Sequence, residues 1–349
     1  MIISPKESGF YFPPEWHPHR ATWLSFPRNT DTWEDRFEKI YPSYLEFIKV
    51  LSRHEEVCIN AHDDVLTTKI RGLFEQYDVS QDNIRLYQHK TNDSWCRDHG
   101  PAFLINKNNQ DKMIVNWEYN AWGGKYPPFD DDNNIPVKIA EALGLPYVTP
   151  GIVMEGGSVE FNGKGTVMTS KSCLLNKNRN PHLSQKEIEQ YLHDYYGMDQ
   201  VLWVTDGIVG DDTDGHIDDT IRFVNEDTVI SVIENNKSDD NFIPLKENLE
   251  DLKKMRLLNG KQLNIIELPM PDPVIDNGVR LPASYANFYI ANSVVIVPTY
   301  RCKQDETALS IIQDSFKDRQ VIGIDSTDII WGLGSFHCLS QQEPLPSKI

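Results

Sequence analysis

The sequence predicts an α/β fold formed by one continuous domain, residues 1–349. Three observations predict it. Short β-rich runs alternate with amphipathic helical segments along the whole chain. No Ser/Gly linker, composition break or low-complexity tract divides it, and no repeat stands out at a fixed period. Polar, Gly-containing clusters recur beside the short strands: Asp93 to Pro101, Met154 to Ser158, Gly210 to Asp219 and Gly334 to Cys338. A toroid bringing these strand ends to one centre would assemble a site from distant sequence.

The elements follow in order. Phe37, Ile40, Tyr44, Leu45, Ile48 and Leu51 keep the helical period, as do Val65, Ile70, Leu73, Phe74 and Tyr77. The next runs are β-rich, at Ile84 to Tyr87 and Met113 to Tyr119, with a helix expected over Ile135 to Leu143. A strand over Gly165 to Thr169 precedes a helix marked by a capping box, Ser184 with Glu187, and closed by Gly197. Strands are then expected at Val201 to Val204, Thr220 to Val224 and Thr228 to Ile233, with a helix over Leu245 to Leu258. The remaining elements are strands at Leu263 to Leu268, Val294 to Pro298 and Gln320 to Ile324, and a helix over Thr307 to Phe316.

The charge balance, 34 basic against 52 acidic residues and a net −18, disfavours nucleic acid and anionic membrane surfaces as partners and suits a cationic small molecule. Met1 to Pro14 carries no apolar core of signal-peptide length, and no run approaches the ~20 apolar residues that span a bilayer. A cytoplasmic protein is expected; homo-oligomerisation stays open. Five cysteines in no paired spacing argue against a disulfide framework and a four-thiolate zinc site. Cys58, in the apolar stretch Glu56 to Asn60, reads as a small buried hydrophobe.

The run Gly210 to Asp219 packs five carboxylates and one imidazole into ten residues. Such a run is ordinarily a solvated loop. If residues 216 to 222 are extended, however, His216 and Asp218 share a face, and a proton-transfer group sits beside a fixed negative charge. Cys338 follows Gly332-Leu-Gly-Ser-Phe-His337, whose two glycines allow close backbone approach at a site. On an extended chain His337 faces away from Cys338, which leaves His216 as the better base. Asp98 and Glu155 add two carboxylates beside further polar clusters. Carboxylates converging with a His and a Cys suit a guanidinium, a planar, permanently charged fork best gripped by paired acceptors such as Asp98 and Asp218. Attack on its carbon needs a strong nucleophile, and a thiolate is the strongest that side chains offer near neutrality. Nearby acids raise a thiol's pKa, so the bound cation and protonated His216 are expected to restore the thiolate.

Eight ordered segments resemble the agmatine deiminase family and, more widely, guanidino-group-modifying enzymes that include bacterial peptidylarginine deiminases. They are Ala21 to Pro27, Asp93 to Pro101, Asn120 to Gly124, Met154 to Ser158, Asn176 to Leu183, Gly210 to Asp219, Tyr285 to Tyr289 and His337 to Gln342. The resemblance implies a five-bladed α/β propeller (pentein) with its site on the central axis. It implies Cys338 as nucleophile, His216 as general acid and base, Asp98 and Asp218 as guanidinium clamps, and Glu155 as a further carboxylate at the site. Trp95 would border the substrate, with Trp122, Gly123 and Gly124 lining the channel. Ser25, Phe26 and His99 depart from the residues usual in that family.

The activity implied is hydrolysis of agmatine to N-carbamoylputrescine and ammonia, in polyamine synthesis, through a covalent amidino-cysteine. It calls for no metal or organic cofactor. Selecting agmatine needs an acceptor for its distal ammonium, for which Asp212 and Asp214 are candidates. Other readings are deimination of peptidylarginine or another guanidine, amidino transfer, a metal hydrolase using His216, Asp218 and His337, and a non-catalytic guanidine binder. No helical His-Glu-x-x-His signature supports the metal hydrolase.

Overall fold

The computed structural model describes residues 3–346. Its mixed α/β chain forms five small sheets that share one plan. In each, a short strand pairs antiparallel with a second strand, and a helix then leads to a parallel third. Ala102–Asn106, Lys112–Val115 and Tyr147–Val148 form one such set, with Phe10–Tyr11 added at its edge. Val159–Phe161, Thr166–Ser170 and Gln200–Val204 form the next. Ile221–Phe223, Thr228–Ile233 and Asn264–Pro269 follow, then Tyr289–Ala291, Val294–Thr299 and Gln320–Asp325. The fifth sheet joins both ends of the chain. Ser340–Pro344 pairs antiparallel with His19–Ser25, which continues in parallel to Glu56–Ala61 and Ile84–Gln88. A separate hairpin, Ile275–Asp276 with Val279–Arg280, stands apart. Among the described residues no helix is long and apolar enough to cross a membrane.

The expected helices form: Phe37–Leu51, Asp64–Gln76, Ile135–Leu143, Gln185–Tyr196, Phe242–Lys254 and Gln304–Ser315. Both halves of the Ser184 and Glu187 capping box are made, and Gly197 closes that helix in the left-handed conformation. Val65 departs from its expected inward place and is exposed, because Ile70, Leu73 and Phe74 carry the buried face. The helix expected to end at Leu258 stops at Lys254, where Met255 turns extended.

The expected strands also form, but the run at Met113 to Tyr119 ends at Val115. Its parallel partner is only Tyr147–Val148, two residues before Pro150, which has no N–H to continue the ladder. Pairing resumes as a single bridge between Glu118 and Val153. Four of the five short first strands escape the sequence patterns, as does His19–Ser25. They are buried on both faces and carry buried Glu160, Gln341, Gln342 and Glu343, so no apolar alternation marks them.

Each polar cluster precedes the short first strand of a sheet. The short helix Cys96–His99 leads into Ala102–Asn106, Gly156–Ser158 into Val159–Phe161, and Ile217–Asp219 into Ile221–Phe223. The same position before Tyr289–Ala291 holds Asn287, and before Ser340–Pro344 it holds His337 and Cys338. Apolar clusters behind the sheets hold these segments still. Phe336, two residues before Cys338, stacks on Phe47 of the helix Phe37–Leu51 with ring centroids 4.8 Å apart. Burying such a ring contributes about 1.5–3 kcal/mol, so the segment carrying Cys338 is fixed by the core.

Candidate active site

Gly157 shows how tightly these segments meet. A Cβ there would lie 2.5 Å from His216 Nδ1, 2.9 Å from Asp98 Oδ1 and 3.0 Å from Asp218 Oδ2. Only a residue without a side chain lets three sheets deliver those groups to one point. His216, Asp218 and Glu155 are fully buried, and Asp98 and Cys338 nearly so.

His216 and Asp218 do meet at this point, but not by lying on an extended strand. Ile217–Asp219 is a turn of 3₁₀ helix, and the strand begins only at Ile221. The loop before it is shaped by Asp211, whose Oδ2 accepts the N–H groups of Gly215 and His216 at 2.8 and 3.1 Å. Cys338 likewise lies in a turn, and His337 engages both ring nitrogens elsewhere: Nδ1 is 2.6 Å from Asp218 Oδ2, and Nε2 is 2.7 Å from Glu15 Oε2.

Asp98 is held by two donors. Trp122 Nε1 donates to Oδ2 and the Gly157 N–H to Oδ1, each at 2.9 Å. Cys338 Sγ lies 3.7 Å from Asp218 Oδ2 and accepts from Asn287 Nδ2 at 3.0 Å. The oxygen of the same amide, Oδ1, accepts the Cys338 N–H at 3.2 Å, so Asn287 grips both the sulfur and the backbone of the residue. Asn287 Nδ2 also donates to buried Asp219 at 2.9 Å. Four buried polar atoms here make no hydrogen bond within the protein: both nitrogens of His216, Asp218 Oδ1 and Glu155 Oε2, although His216 Nδ1 lies at ion-pair distance, 3.7 Å, from Asp98 Oδ1. Such atoms are costly unless a ligand satisfies them.

The electrostatics divide the groups. Burial opposes the His216 cation, but Asp98, the adjoining Cys173 thiol and Asp218 outweigh it and hold its pKa well above the usual value. Burial would also raise Asp218, yet His337 and His216 hold it below the ordinary carboxylate range. Asp98 is raised by burial, which outweighs the pull of His216. Burial and the charges of Asp218, Asp219 and Asp98 push the Cys338 thiol well up. Without a bound cation, the sulfur is therefore a neutral thiol.

A cavity of about 310 Å3 opens from this centre. Cys338, Asp98, Trp95, Trp122 and Asp212 line it, together with Trp331, Tyr126 and acidic Asp31, Glu34, Asp93 and Asp276. That volume sits at the lower end of the ~300–1,000 Å3 typical of small-molecule sites. Trp95 stacks on Trp33 at 5.6 Å, and a Cβ on Gly334 would lie 2.5 Å from its ring. The glycines before Cys338 thus admit an aromatic wall.

Three expected lining residues, Gly123, Gly124 and Asp214, are not among those that line the cavity. Gly123 does not line the cavity; its left-handed backbone packs on Asn178, where a Cβ would approach to 2.6 Å. Asp214 is turned away as well, ion-paired to Lys125 at 3.0 Å and to Arg179 at 2.7 Å. Asp212 stays at the wall, with its carboxylate taken by Lys125 at 3.3 Å and by the Tyr126 hydroxyl. Glu155 reaches the centre but pairs through Oε1 with Arg179 Nε. Arg179, which also donates to the Thr213 carbonyl at 2.8 Å, ties this carboxylate to the Asp214 loop.

Ser25 and His99, both departures from the usual residues, are bonded to each other at 2.8 Å. Burial holds His99 at a pKa of about 3, so it is a neutral partner beside Asp98. Among the described residues, two sets bring possible metal-ligating atoms within 4.8 Å: Glu155, Cys173 and His216, and Asp218, Asp219 and Cys338. The set His216, Asp218 and His337 does not bring its ligand atoms that close together, and His337 instead sets one ring nitrogen against Asp218 and the other against Glu15.

Comparison with known proteins adds an independent finding. The family described as Porphyromonas-type peptidyl-arginine deiminase matches residues 11–344. A Legionella pneumophila protein provisionally named an agmatine deiminase is 37% identical, over 100% of this chain and 99% of its own length. A solved Enterococcus faecalis agmatine deiminase superposes with a TM-score of 0.91 at 31% identity, covering 99% of both chains. A C. jejuni agmatine deiminase variant with substrate bound gives 0.88 at 31% identity, covering 97% of both.

Proposed function

This chain belongs to the Porphyromonas-type peptidyl-arginine deiminase family, and from that premise we propose that it hydrolyses agmatine to N-carbamoylputrescine and ammonia. The observation that carries the reading is a small cavity lined by Cys338 and Asp98, with His216 and Asp218 buried directly against those two residues and retaining polar atoms free to hydrogen-bond. The five sheets are read as the blades of a pentein propeller within a single catalytic domain, residues 1–349.

The reaction follows from the charges. The guanidinium enters as a cation and supplies N–H donors to Asp218 Oδ1 and to the remaining lone pairs of Asp98. Its positive charge offsets the carboxylates that hold Cys338 neutral, and the thiol passes its proton to solvent water as the substrate settles. The thiolate attacks the guanidinium carbon. His216, already protonated, gives its proton to the departing nitrogen, and ammonia leaves an amidino group on sulfur. The same imidazole, now neutral, takes a proton from a water that attacks the adduct. Collapse breaks the carbon–sulfur bond and releases the ureido product. The route requires no metal and no organic cofactor.

The direct test is ammonia release from agmatine, free arginine and a C-terminal-arginine peptide at matched concentrations. Turnover of agmatine far above the other two is expected. Preference for the peptide would replace agmatine with arginine residues as the substrate, and no release from any guanidine would refute the deiminase reading.

A further inference from the structure

Beneath the reacting groups lies a second buried layer of charge that the reaction scheme leaves unused, and every sheet contributes to it. Glu15, just before His19–Ser25, occupies its centre. Glu15 Oε1 accepts the Ile290 N–H at 2.7 Å and pairs with Arg222 Nη2 at 3.0 Å. Glu15 Oε2 lies 3.3 Å from Arg97 Nη2 and 2.7 Å from His337 Nε2. Arg222 also pairs with Glu160 at 3.0 Å. The far nitrogen of His337 reaches Asp218 Oδ2 at 2.6 Å. One imidazole therefore bridges a carboxylate of this layer to the carboxylate assigned to the substrate.

A neutral imidazole has one N–H, whereas two carboxylate oxygens at these distances each require a donor. The bridge accordingly keeps one proton more than a neutral ring and two carboxylates would hold. Arg97, Arg222 and the bridging imidazole thus face Glu15, Glu160 and Asp218 in a layer almost wholly out of water. The result at Asp218 is directional. Oδ2 is tied into the protein, while Oδ1 is buried without a partner.

We propose that Glu15 and His337 are positioning residues for the deiminase reaction: through the His337 bridge they keep Asp218 ionised and turned so that Oδ1 meets the guanidinium. This rests on the function proposed above and assigns a part to two residues that touch no substrate atom.

The test separates the two ends of the bridge. An Asn side chain places its amide nitrogen near the Nδ1 position of His, and Gln places it near Nε2. In a Cys338→Ala parent, His337→Asn keeps a donor for Asp218, whereas His337→Gln serves Glu15 alone. Calorimetric titration with agmatine is expected to give a Kd within about threefold of the parent for His337→Asn. For His337→Gln, loss of a charge-assisted hydrogen bond weakens binding about tenfold or more. A Gln variant that binds as tightly as the Asn variant overturns the proposal, as does equal weakening of both in step with a lowered Tm. Should neither fold, Glu15→Gln decides: agmatine binding several-fold weaker than in the parent supports the bridge, and an unchanged Kd overturns it. Ammonia release by the native protein reports separately on function. Agmatine bound but never hydrolysed sinks the deiminase reading and leaves the bridge standing, whereas normal hydrolysis with no difference between variants sinks the bridge alone. No agmatine binding by the parent sinks both.

Discussion

The run Gly210 to Asp219 divides into two halves of similar composition and opposite use. In the first half, Asp212 and Asp214 are partly exposed and neutralised by Lys125, Arg179 and the Tyr126 hydroxyl, while Asp211 shapes the loop by accepting backbone N–H groups. In the second, His216 and Asp218 are fully buried and retain polar atoms without partners. Acidic residues whose needs are met by the protein hold a loop in place. Those left wanting in a dry site are arranged for a ligand.

The sharpest way to break this comparison is at the sulfur that the buried half serves. Cys338→Ala is expected to lower ammonia release at least about ten-thousandfold while guanidinium binding survives; steady-state assay with calorimetry checks both, and near-native turnover would end the argument. Next in size is His216→Gln, expected to cost roughly a hundred- to ten-thousandfold in kcat through loss of general acid and base. Equal losses on replacing Asp214 would erase the distinction between the halves.

The pH profile sharpens it further. His216 is raised well above its ordinary 6.5, so its protonated form prevails near neutrality and is lost only as pH rises through the folded value. The alkaline fall in kcat/KM should therefore lie well above pH 6.5, and Asp98→Asn should move it downward by removing the charge that does most to raise it. Asp214→Asn should leave it in place. The same sign governs stability: the contribution of the His216 cation is complete below 6.5 and disappears at alkaline pH.

The smaller effects belong to the first half. Asp214→Ala removes one charged partner of buried Arg179 and should cost about 1–3 kcal/mol in denaturant unfolding, with kcat little changed. Asp212→Asn should alter KM for agmatine by no more than about threefold, since its charge is already countered. A rise beyond tenfold at unchanged kcat would instead make Asp212 the acceptor of the distal ammonium.

Much of the site is legible in the sequence because its chemistry is written in rare residue types beside glycine. Cys338, His216, Asp98 and Asp218 can be found that way, although the route to His216 and Asp218 assumed an extended strand where a 3₁₀ turn does the work. Helices are legible because one face is apolar. The inner strands are not, because buried acids and amides replace the alternation that would reveal them. Asn287 and Arg179 lie within segments that carry the family resemblance, but an amide or an arginine declares no role until its partners are known. Glu15 has no local signal at all; one of its hydrogen-bond partners lies 275 residues away.

The strand following Cys338 has a last consequence. Ser340–Pro344 pairs antiparallel with His19–Ser25, so the turn that carries Cys338 runs straight into a strand that covers one side of an otherwise parallel sheet. Without that strand, His19–Ser25 would present a bare edge of unpaired N–H and C=O groups to other chains. Placement of the sulfur and protection of that edge are thus tasks of one and the same strand.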